Sequence, residues 1–403
     1  MKVLVADRLN DASLDEMRTL GAEVVYLPEL ESKDLPGQLS DVNVLVVRGT
    51  PVDARAMTAG QALNLIVRAG AGVANIDVKT ASERGIYVAD CPGKNASGVA
   101  ELTLTLIGCL DRRIPDAVAS LRAGRWEKEE FARASGLRGR TLGLAGFGHV
   151  GRAVARMARA LGMEVLAWSR SLTPHRAAEH DIGYAPGLMA LARASDVFSV
   201  HLDLNERTSG IISRSVLEAL KDGAYFVNTA RSELVDYAAL AELAPKKGLR
   251  LGLDVLPQEP DTRHGIYTNS IVDTALVYAT PHIGASTDEA QIAIANETVR
   301  ILRSFIVKGE VPNVVNISMA SRARYLLVVR HLDKLGAIAN VLNVLKRHGI
   351  NIQELENTVF EGGRAGCCKI RTDTRPGEAC LSEIMAFSDE VLHVDLVTLP
   401  NLA

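Results

Sequence analysis

An arginine, a carboxylate and an imidazole fall just after strand-like segments in the second half of this chain. Arg231 follows Tyr225–Ala230, Glu259 lies one short turn beyond Asp254, and His282 follows Leu276–Thr280 and Pro281. Side chains at the carboxyl ends of parallel strands face the crevice where open α/β sheets bind ligands. Each residue alone reads as an ordinary solvated or satisfied side chain. Together they supply what hydride transfer at a 2-hydroxy acid requires. A cation binds the substrate carboxylate, a base takes the hydroxyl proton, and a second carboxylate orients that base and favours its protonated form.

A hydride needs a carrier, and residues 141–152 provide for one: Thr-Leu-Gly-Leu-Ala-Gly-Phe-Gly-His-Val-Gly-Arg. An apolar strand pattern, Leu142 to Ala145, runs into Gly146, Gly148 and Gly151, and a helical pattern from Val150 to Leu161 follows at once. The first glycine permits the tight turn, the second lets backbone approach a pyrophosphate, and the third lets helix pack on strand. The helix start then offers unpaired N–H groups to phosphate.

The elements that must position these groups follow from periodicity. Apolar strand candidates Val3–Ala6, Glu23–Leu27, Val44–Val47, Leu65–Arg68 and Ile86–Val88 read as a first open α/β layer. One buried helix is expected from Ser97 to Leu121, with Leu102, Leu106, Cys109 and Leu110 on one face. Strands Leu142–Ala145, Val165–Trp168, Val197–Val200, Tyr225–Asn228, Leu251–Asp254 and Leu276–Ala279 then alternate with helices, the pattern of a Rossmann-type doubly wound parallel sheet. A helix over Asp288–Lys308 can return the chain to the first layer, which leaves the dinucleotide domain inserted between two halves of another. Pro312–Arg322 reads as a linker, and beyond it strands and helices in the order βαββαβ predict a ferredoxin-like unit. The expected boundaries are 1–96 with 286–315, 97–285, and 324–403.

Composition narrows the function classes. A 403-residue chain with 47% hydrophobic and 23% charged residues suits two or three soluble domains. The net charge of −3 provides no basic surface for nucleic acid or membrane. No apolar run is long enough to span a bilayer, and the N-terminus opens as a strand, so a cytoplasmic location is expected. Cys91, Cys109, Cys367, Cys368 and Cys380 match no zinc spacing and read as free thiols in a reducing compartment, the adjacent pair leaving a redox role open; no metal site is expected.

With these motifs in place the chain resembles, over nearly its whole length, the D-isomer-specific 2-hydroxyacid dehydrogenase family. The likeness rests on Ala69-Gly-Ala-Gly-Val-Ala-Asn-Ile-Asp77, Gly146-Phe-Gly-His-Val-Gly151, Asn228-Thr-Ala-Arg231, Asp254-Val-Leu-Pro-Gln-Glu259 and Thr280-Pro-His-Ile-Gly284. It implies a flavodoxin-like first domain and NAD as cofactor. His282 would be the general acid/base, Glu259 its partner, and Arg231 the carboxylate clamp. Asp254 would touch the nicotinamide end, and backbone around Ala69, Gly70 and Gly72 would hold the carboxylate from the other lobe. His149, Val150, Thr229, Ala230 and Gly284 would complete the cofactor contacts.

Asn95-Ala-Ser-Gly-Val-Ala-Glu-Leu102, His282-Ile-Gly-Ala-Ser-Thr-Asp-Glu-Ala290 and the tail resemble members that act on a phosphorylated hydroxy acid and carry a C-terminal ACT domain. In that case Arg48 faces the substrate phosphate, with Arg68 and Lys94 as further candidates. In the tail, His331, Asp333 and Asn351 fall where related domains bind an amino acid such as serine, although Asp333 and Leu335 depart from the usual pattern. A homodimer or homotetramer is implied.

One departure concerns the cofactor. The acidic residue that usually ends the second strand of the nucleotide fold is Ser169, followed by Arg170. Arg170 can pair with the 2′-phosphate of NADP, or stack on adenine while NAD binds through a neutral ribose; both remain open. The alternative enzyme is an NADP-dependent glyoxylate, hydroxypyruvate or other D-2-hydroxyacid reductase, which the ACT-like tail argues against. The non-enzyme alternative, a nucleotide-sensing corepressor, is disfavoured by the complete Arg231, Glu259 and His282 set.

Overall fold

Val44–Val47 and Leu65–Val67 have no polar face, and both runs become strands buried on both sides. The computed structural model describes residues 1–260, 265–272, 276–318 and 323–400 and divides the chain into two compact units, Met1–Asn316 and Ile317–Ala403. In the first unit, β1 (Lys2–Val5), β2 (Glu23–Tyr26), β3 (Val44–Val47), β4 (Leu65–Arg68) and β5 (Tyr87–Ala89) form a parallel sheet in the order β2-β1-β3-β4-β5. This is the flavodoxin-like winding.

The helix Asp288–Lys308 does return to that sheet. Thr287 accepts a hydrogen bond from the Ala290 N–H at its start, and Gly309 ends it at φ +70°. Between these caps Ile294, Val299, Ile301 and Leu302 enter one core with Val3, Val5 and Val44. Asn316 then accepts from the Val88 N–H, which ties the far end of this segment to β5.

The second sheet contains β6 (Thr141–Ala145), β7 (Glu164–Trp168), β8 (Gly183–Tyr184), β9 (Val197–Val200), β10 (Tyr225–Asn228), β11 (Arg250–Leu253) and β12 (Val277–Ala279). All pairs are parallel, in the order β12-β11-β10-β9-β6-β7-β8. Winding runs outward from β6 in one direction and from β9 in the other, so the crevice opens where these two strands end.

Two local features differ from expectation. The helix expected over Ser97–Leu121 is two helices, Ala96–Arg112 and Ile114–Arg122, separated by Arg113 at φ +52°. Pro115 opens the second helix and has no N–H to continue the first. The ion pairs of Arg113 with Asp116 and Glu130 hold the corner. The two-residue strand β8 also lies outside the expected set, being too short for an alternation pattern to mark it.

In the second unit, β13 (Tyr325–Leu332), β14 (Ile352–Val359), β15 (Ala365–Thr372) and β16 (Val391–Thr398) form an antiparallel sheet ordered β14-β15-β13-β16. Helices Ala337–Arg347 and Glu378–Met385 cover it, burying Val341, Val344, Leu345 and Ile384 against Leu327, Val329 and Ile370. The order of elements is the expected βαββαβ. Residues 319–322 of the expected linker lie outside the described residues.

Candidate active site

Two loops that leave adjacent strands bring the imidazole and its carboxylate together. The loop after β11 carries Glu259 and the loop after β12 carries His282. The His282 Nδ1–H donates to Glu259 Oε2 at 2.8 Å. Glu259 Oε1 accepts the Leu256 N–H at 2.7 Å. Burial raises the Glu259 carboxyl, but hydrogen bonds from His282 and Leu256 and the charges of His282 and Arg231 outweigh it and hold the group below its ordinary value. An ionised Glu259 therefore fixes Nδ1 as the protonated nitrogen and leaves Nε2 for a ligand.

Both loops carry backbone in the left-handed region, Gln258 at φ +58° and His282 at φ +53°. Such conformations persist only when the surroundings over-determine them. Asp254 supplies much of that constraint. Its buried carboxylate accepts from Thr280 Oγ1 at 2.6 Å and from the N–H groups of Ile283 and Gly284, each at 2.8 Å. Its carbonyl also accepts the His282 N–H at 2.9 Å. The residue expected at the nicotinamide end thus positions the histidine loop. Thr229 and Ala230 are engaged within the nucleotide domain: the Thr229 hydroxyl is 2.9 Å from that of Thr103, and the Ala230 N–H donates to Asn228 Oδ1.

Arg231 follows β10 in an extended conformation, and its Nη1 donates to the Ala230 carbonyl. Asn228 Nδ2 donates to the Arg231 carbonyl, which fixes the turn from inside the sheet. Across the cleft lies the loop after β4. A Cβ built on Gly72 (φ +78°) would stand 3.9 Å from Arg231 Nη2, so loop and guanidinium face each other.

Here the structure corrects the choice of backbone donors. The Ala69 N–H donates to Val47, that of Gly70 to Arg68, and that of Gly72 to the Asp90 carboxylate. In this loop the N–H groups of Ala71, Val73, Ala74 and Asn75 have no hydrogen-bond partner among the described residues, and Ala71 and Val73 flank the Gly72 that faces Arg231. Only the folded loop reveals this, because every residue in the segment has the same kind of N–H.

Arg68 also changes role. Its Nε donates to the Arg48 carbonyl at 3.0 Å and its Nη1 to the Ala71 carbonyl, so it lies beneath the loop and supports it. Burial, then repulsion from Arg231 and Arg48, pushes Arg68 down to about 10. Three guanidinium groups converge on one loop, which makes the cleft a sink for anions. Arg48 lines a cavity of about 190 Å³ together with Arg8, Asn10, Ala69, Gln291 and Ile294. Lys94 is engaged elsewhere, with the buried Glu297 at 3.2 Å.

The glycine turn fits a dinucleotide. A Cβ on Gly146 (φ +108°) would lie 2.2 Å from the His201 carbonyl oxygen, and one on Gly151 would lie 2.3 Å from that of Gly146. A Cβ on Gly148 would meet no protein atom, as expected where backbone is kept bare for a ligand. Gly148 caps the helix His149–Ala160 without a side-chain hydrogen bond, so the first-turn N–H groups point into this space. The His149 ring packs against Gly93 of the other lobe, where a Cβ would lie 2.7 Å away.

Comparison with known proteins agrees with this geometry. Residues 104–284 match the model described as "D-isomer specific 2-hydroxyacid dehydrogenase, NAD binding domain". A hydroxypyruvate reductase of Thermotoga maritima is 41% identical over 272 residues, 67% of this chain and 87% of that protein. The chain belongs to the D-isomer specific 2-hydroxyacid dehydrogenase family. A D-3-phosphoglycerate dehydrogenase of Archaeoglobus fulgidus is 36% identical over 350 residues, 85% of this chain but only 64% of the length of that relative. An NADPH-dependent glyoxylate/hydroxypyruvate reductase from Sinorhizobium meliloti, solved with NADP and malonate, superposes with a TM-score of 0.68 at 27% identity, covering 78% of this chain and 96% of that one. Members of this family bind NAD or NADP on the sheet that carries Gly146 here.

The tail candidates do not form an open cluster. His331 is buried within β13, its ring nitrogens 2.8 Å from the Leu332 carbonyl oxygen and 2.9 Å from the Asn357 amide. Asp333 and Asn351 are exposed and lie outside helices and strands; the Asp333 N–H donates to the Arg364 carbonyl, and neither side chain is hydrogen-bonded to the other or to His331. Sequence reasoning also missed His201, a half-buried residue whose ring is enclosed under the glycine turn, with Nε2 2.9 Å from Ser199 Oγ. Burial pushes it down to about 3, so it stays neutral. No helix among the described residues is long and apolar enough to cross a membrane.

Proposed function

We propose that this protein is a D-3-phosphoglycerate dehydrogenase, interconverting 3-phosphoglycerate and 3-phosphohydroxypyruvate with a nicotinamide dinucleotide in the first step of serine biosynthesis. One observation carries the reading. Arg48, Arg68 and Arg231 meet around the loop after β4, and Arg231 also acts on Glu259 of the ion-paired histidine. A substrate with two anionic ends suits a cleft with more cations than one carboxylate requires.

The nicotinamide, when bound, accepts or supplies the hydride at C2 of the substrate. The residues of the chain do the rest. Arg231 and the N–H groups of Ala71 and Val73 bind the carboxylate, and the planar fork of Arg231 polarises the developing C2 carbonyl. As the C2–H bond breaks and the C2–O bond gains double-bond character, the hydroxyl proton passes to His282 Nε2. Glu259 stabilises the imidazolium that results. In reduction the same proton returns from Nε2 to the alkoxide.

A second reading, a glyoxylate or hydroxypyruvate reductase, is favoured by Ser169-Arg170 at the end of β7 and by the Thermotoga relative. Initial rates with 3-phosphohydroxypyruvate, hydroxypyruvate and glyoxylate separate the two. For Arg48→Ala the KM for the phosphorylated substrate should rise about tenfold or more while the others hold. If the wild type prefers hydroxypyruvate, and Arg48→Ala affects all substrates alike, the second reading replaces the first.

The second unit is proposed as an ACT-type domain for assembly, with serine or another amino acid as a candidate effector. Assembly as a homodimer or homotetramer is supported by exposed Ile114, Val118, Leu121 and Trp126 on one segment of the first unit. The open edge β14, with exposed Leu355 and Val359, supports it too. Sedimentation and serine-binding isotherms test these two statements.

A further inference from the structure

A buried asparagine stands between the arginine and the acid-base pair. Asn228 ends β10 fully enclosed, and its Nδ2 donates to the Arg231 carbonyl at 2.9 Å and to the Tyr237 hydroxyl at 3.4 Å. Tyr237 opens the helix Tyr237–Lys247, whose first turn is fixed by the Ala239 N–H donating to the Asp236 carboxylate at 2.9 Å. The tyrosine ring packs against the core that includes Leu240 and Leu253. Its hydroxyl donates onward to the Val255 carbonyl at 2.6 Å.

That carbonyl and the Leu256 N–H belong to one peptide unit, in which C=O and N–H point in opposite directions. The N–H donates to Glu259 Oε1 at 2.7 Å, and Glu259 Oε2 accepts from His282 Nδ1. The tyrosine therefore holds one edge of the peptide plane, and the carboxylate that orients the imidazole is held by the other. A donor on the carbonyl also polarises the unit and strengthens its N–H. Hydrogen bonds run unbroken from the Arg231 carbonyl through Asn228, Tyr237, the 255–256 peptide and Glu259 to His282. Withdrawal from water, with repulsion by the Glu259 charge, raises the Tyr237 hydroxyl above its ordinary value against the opposing pull of the Asn228 amide, so it keeps its proton and stays a donor. Tyr267 donates to the Pro257 carbonyl of the same loop at 2.8 Å, but stands outside this chain of bonds.

We infer that Tyr237 is a positioning residue for the reaction: its hydroxyl sets the 255–256 peptide so that Glu259 stays on His282 Nδ1, in register with the turn that carries Arg231. The substrate carboxylate held by Arg231 and the C2 oxygen facing His282 belong to one small molecule, so the two turns must keep a fixed spacing. Without the hydroxyl the peptide plane is free to rotate and the carboxylate swings off the imidazole. The inference rests on the proposed role of His282 as acid and base.

Tyr237→Phe removes one oxygen and keeps the ring in the core. Steady-state reduction is followed over pH with 3-phosphohydroxypyruvate or hydroxypyruvate, whichever the wild type prefers, and coenzyme affinity by nicotinamide fluorescence. For Tyr237→Phe, kcat should fall about fivefold or more with a smaller change in KM, and coenzyme affinity should stay within about twofold. The pH dependence of reduction should move to lower pH, because the imidazolium loses its counter-charge. In a Glu259→Gln background the same substitution should add little, since no charge is left to place. Tyr267→Phe, which removes a like bond from the same loop, should change kcat by less than about twofold. A Tyr237→Phe enzyme that is less stable to urea but keeps the wild-type kcat and pH dependence overturns the inference. Additive losses in the double variant, or an equal loss from Tyr267→Phe, overturn it too. His282→Ala with a kcat near that of the wild type overturns instead the reading beneath it.

Discussion

At the scale of single residues, the account depends on which side chains touch the reacting groups and which hold others in place. His282 and Arg231 are of the first kind. Glu259 is a positioning residue, because its oxygens are engaged by His282 Nδ1 and the Leu256 N–H. Glu259→Gln keeps the shape and removes the charge that favours an imidazolium. Turnover in reduction should fall by about tenfold or more, and the pH dependence of reduction should move to lower pH, with coenzyme affinity unchanged. A rate loss with an unaltered pH profile would mean that the carboxylate only supports the loop. The residue types of this set were legible in the sequence because each follows a strand, and a parallel sheet sends strand ends to one crevice. The backbone donors were not legible. Whether Ala71 or Gly72 has a free N–H depends on the approach of Asp90 from another loop, which no spacing in the segment encodes.

At the scale of elements, Asp254 supplies most of the hydrogen bonds that hold the loop after β12 to the end of β11. Three donors reach its carboxylate and a fourth reaches its carbonyl. Asp254→Ala leaves buried donors unsatisfied and releases a strained histidine turn, and it should cost about 3 kcal/mol or more in stability by denaturant unfolding. Hydrogen exchange should locate the loosening at 280–284, and uniform exchange across the sheet would contradict this. The central strands of both sheets, β3, β4, β9 and β10 among them, could be read from apolar runs because burial on two faces dictates their composition, whereas the short exposed β8 could not. The break at Arg113 is a different matter. Apolar spacing continues through it, and the deciding residue, Pro115, acts on a hydrogen bond that periodicity ignores. The role of Asp254 was hidden in the same way, since an aspartate after a strand looks alike whether it meets a ligand or the next loop.

At the scale of the whole molecule, the enclosed imidazole of His201 ties stability to pH. Its folded value of about 3 lies below its ordinary 6.5, so the unfolded chain takes up the proton first. Stability is therefore at full strength above about pH 6.5 and falls by about 1.4 kcal/mol per pH unit as pH drops toward the folded value. Carboxyls held low, such as Glu297 at about 2, take effect only below their ordinary 4.5, which leaves the window between to His201. Urea unfolding should show a loss of about 2 kcal/mol between about pH 6.5 and about pH 5. A flat profile there would contradict a neutral, buried imidazole beneath the glycine turn.

Turnover joins all three scales, since it needs the residue, the strained loop and both lobes of the first unit. The most direct test is steady-state reduction of 3-phosphohydroxypyruvate by His282→Ala, with coenzyme affinity measured on the same preparation. The account predicts that kcat falls by about a hundredfold or more while coenzyme binding stays within about twofold of wild type. A kcat near the wild-type value, or equal losses of turnover and coenzyme affinity, would contradict His282 as the acid and base of this site.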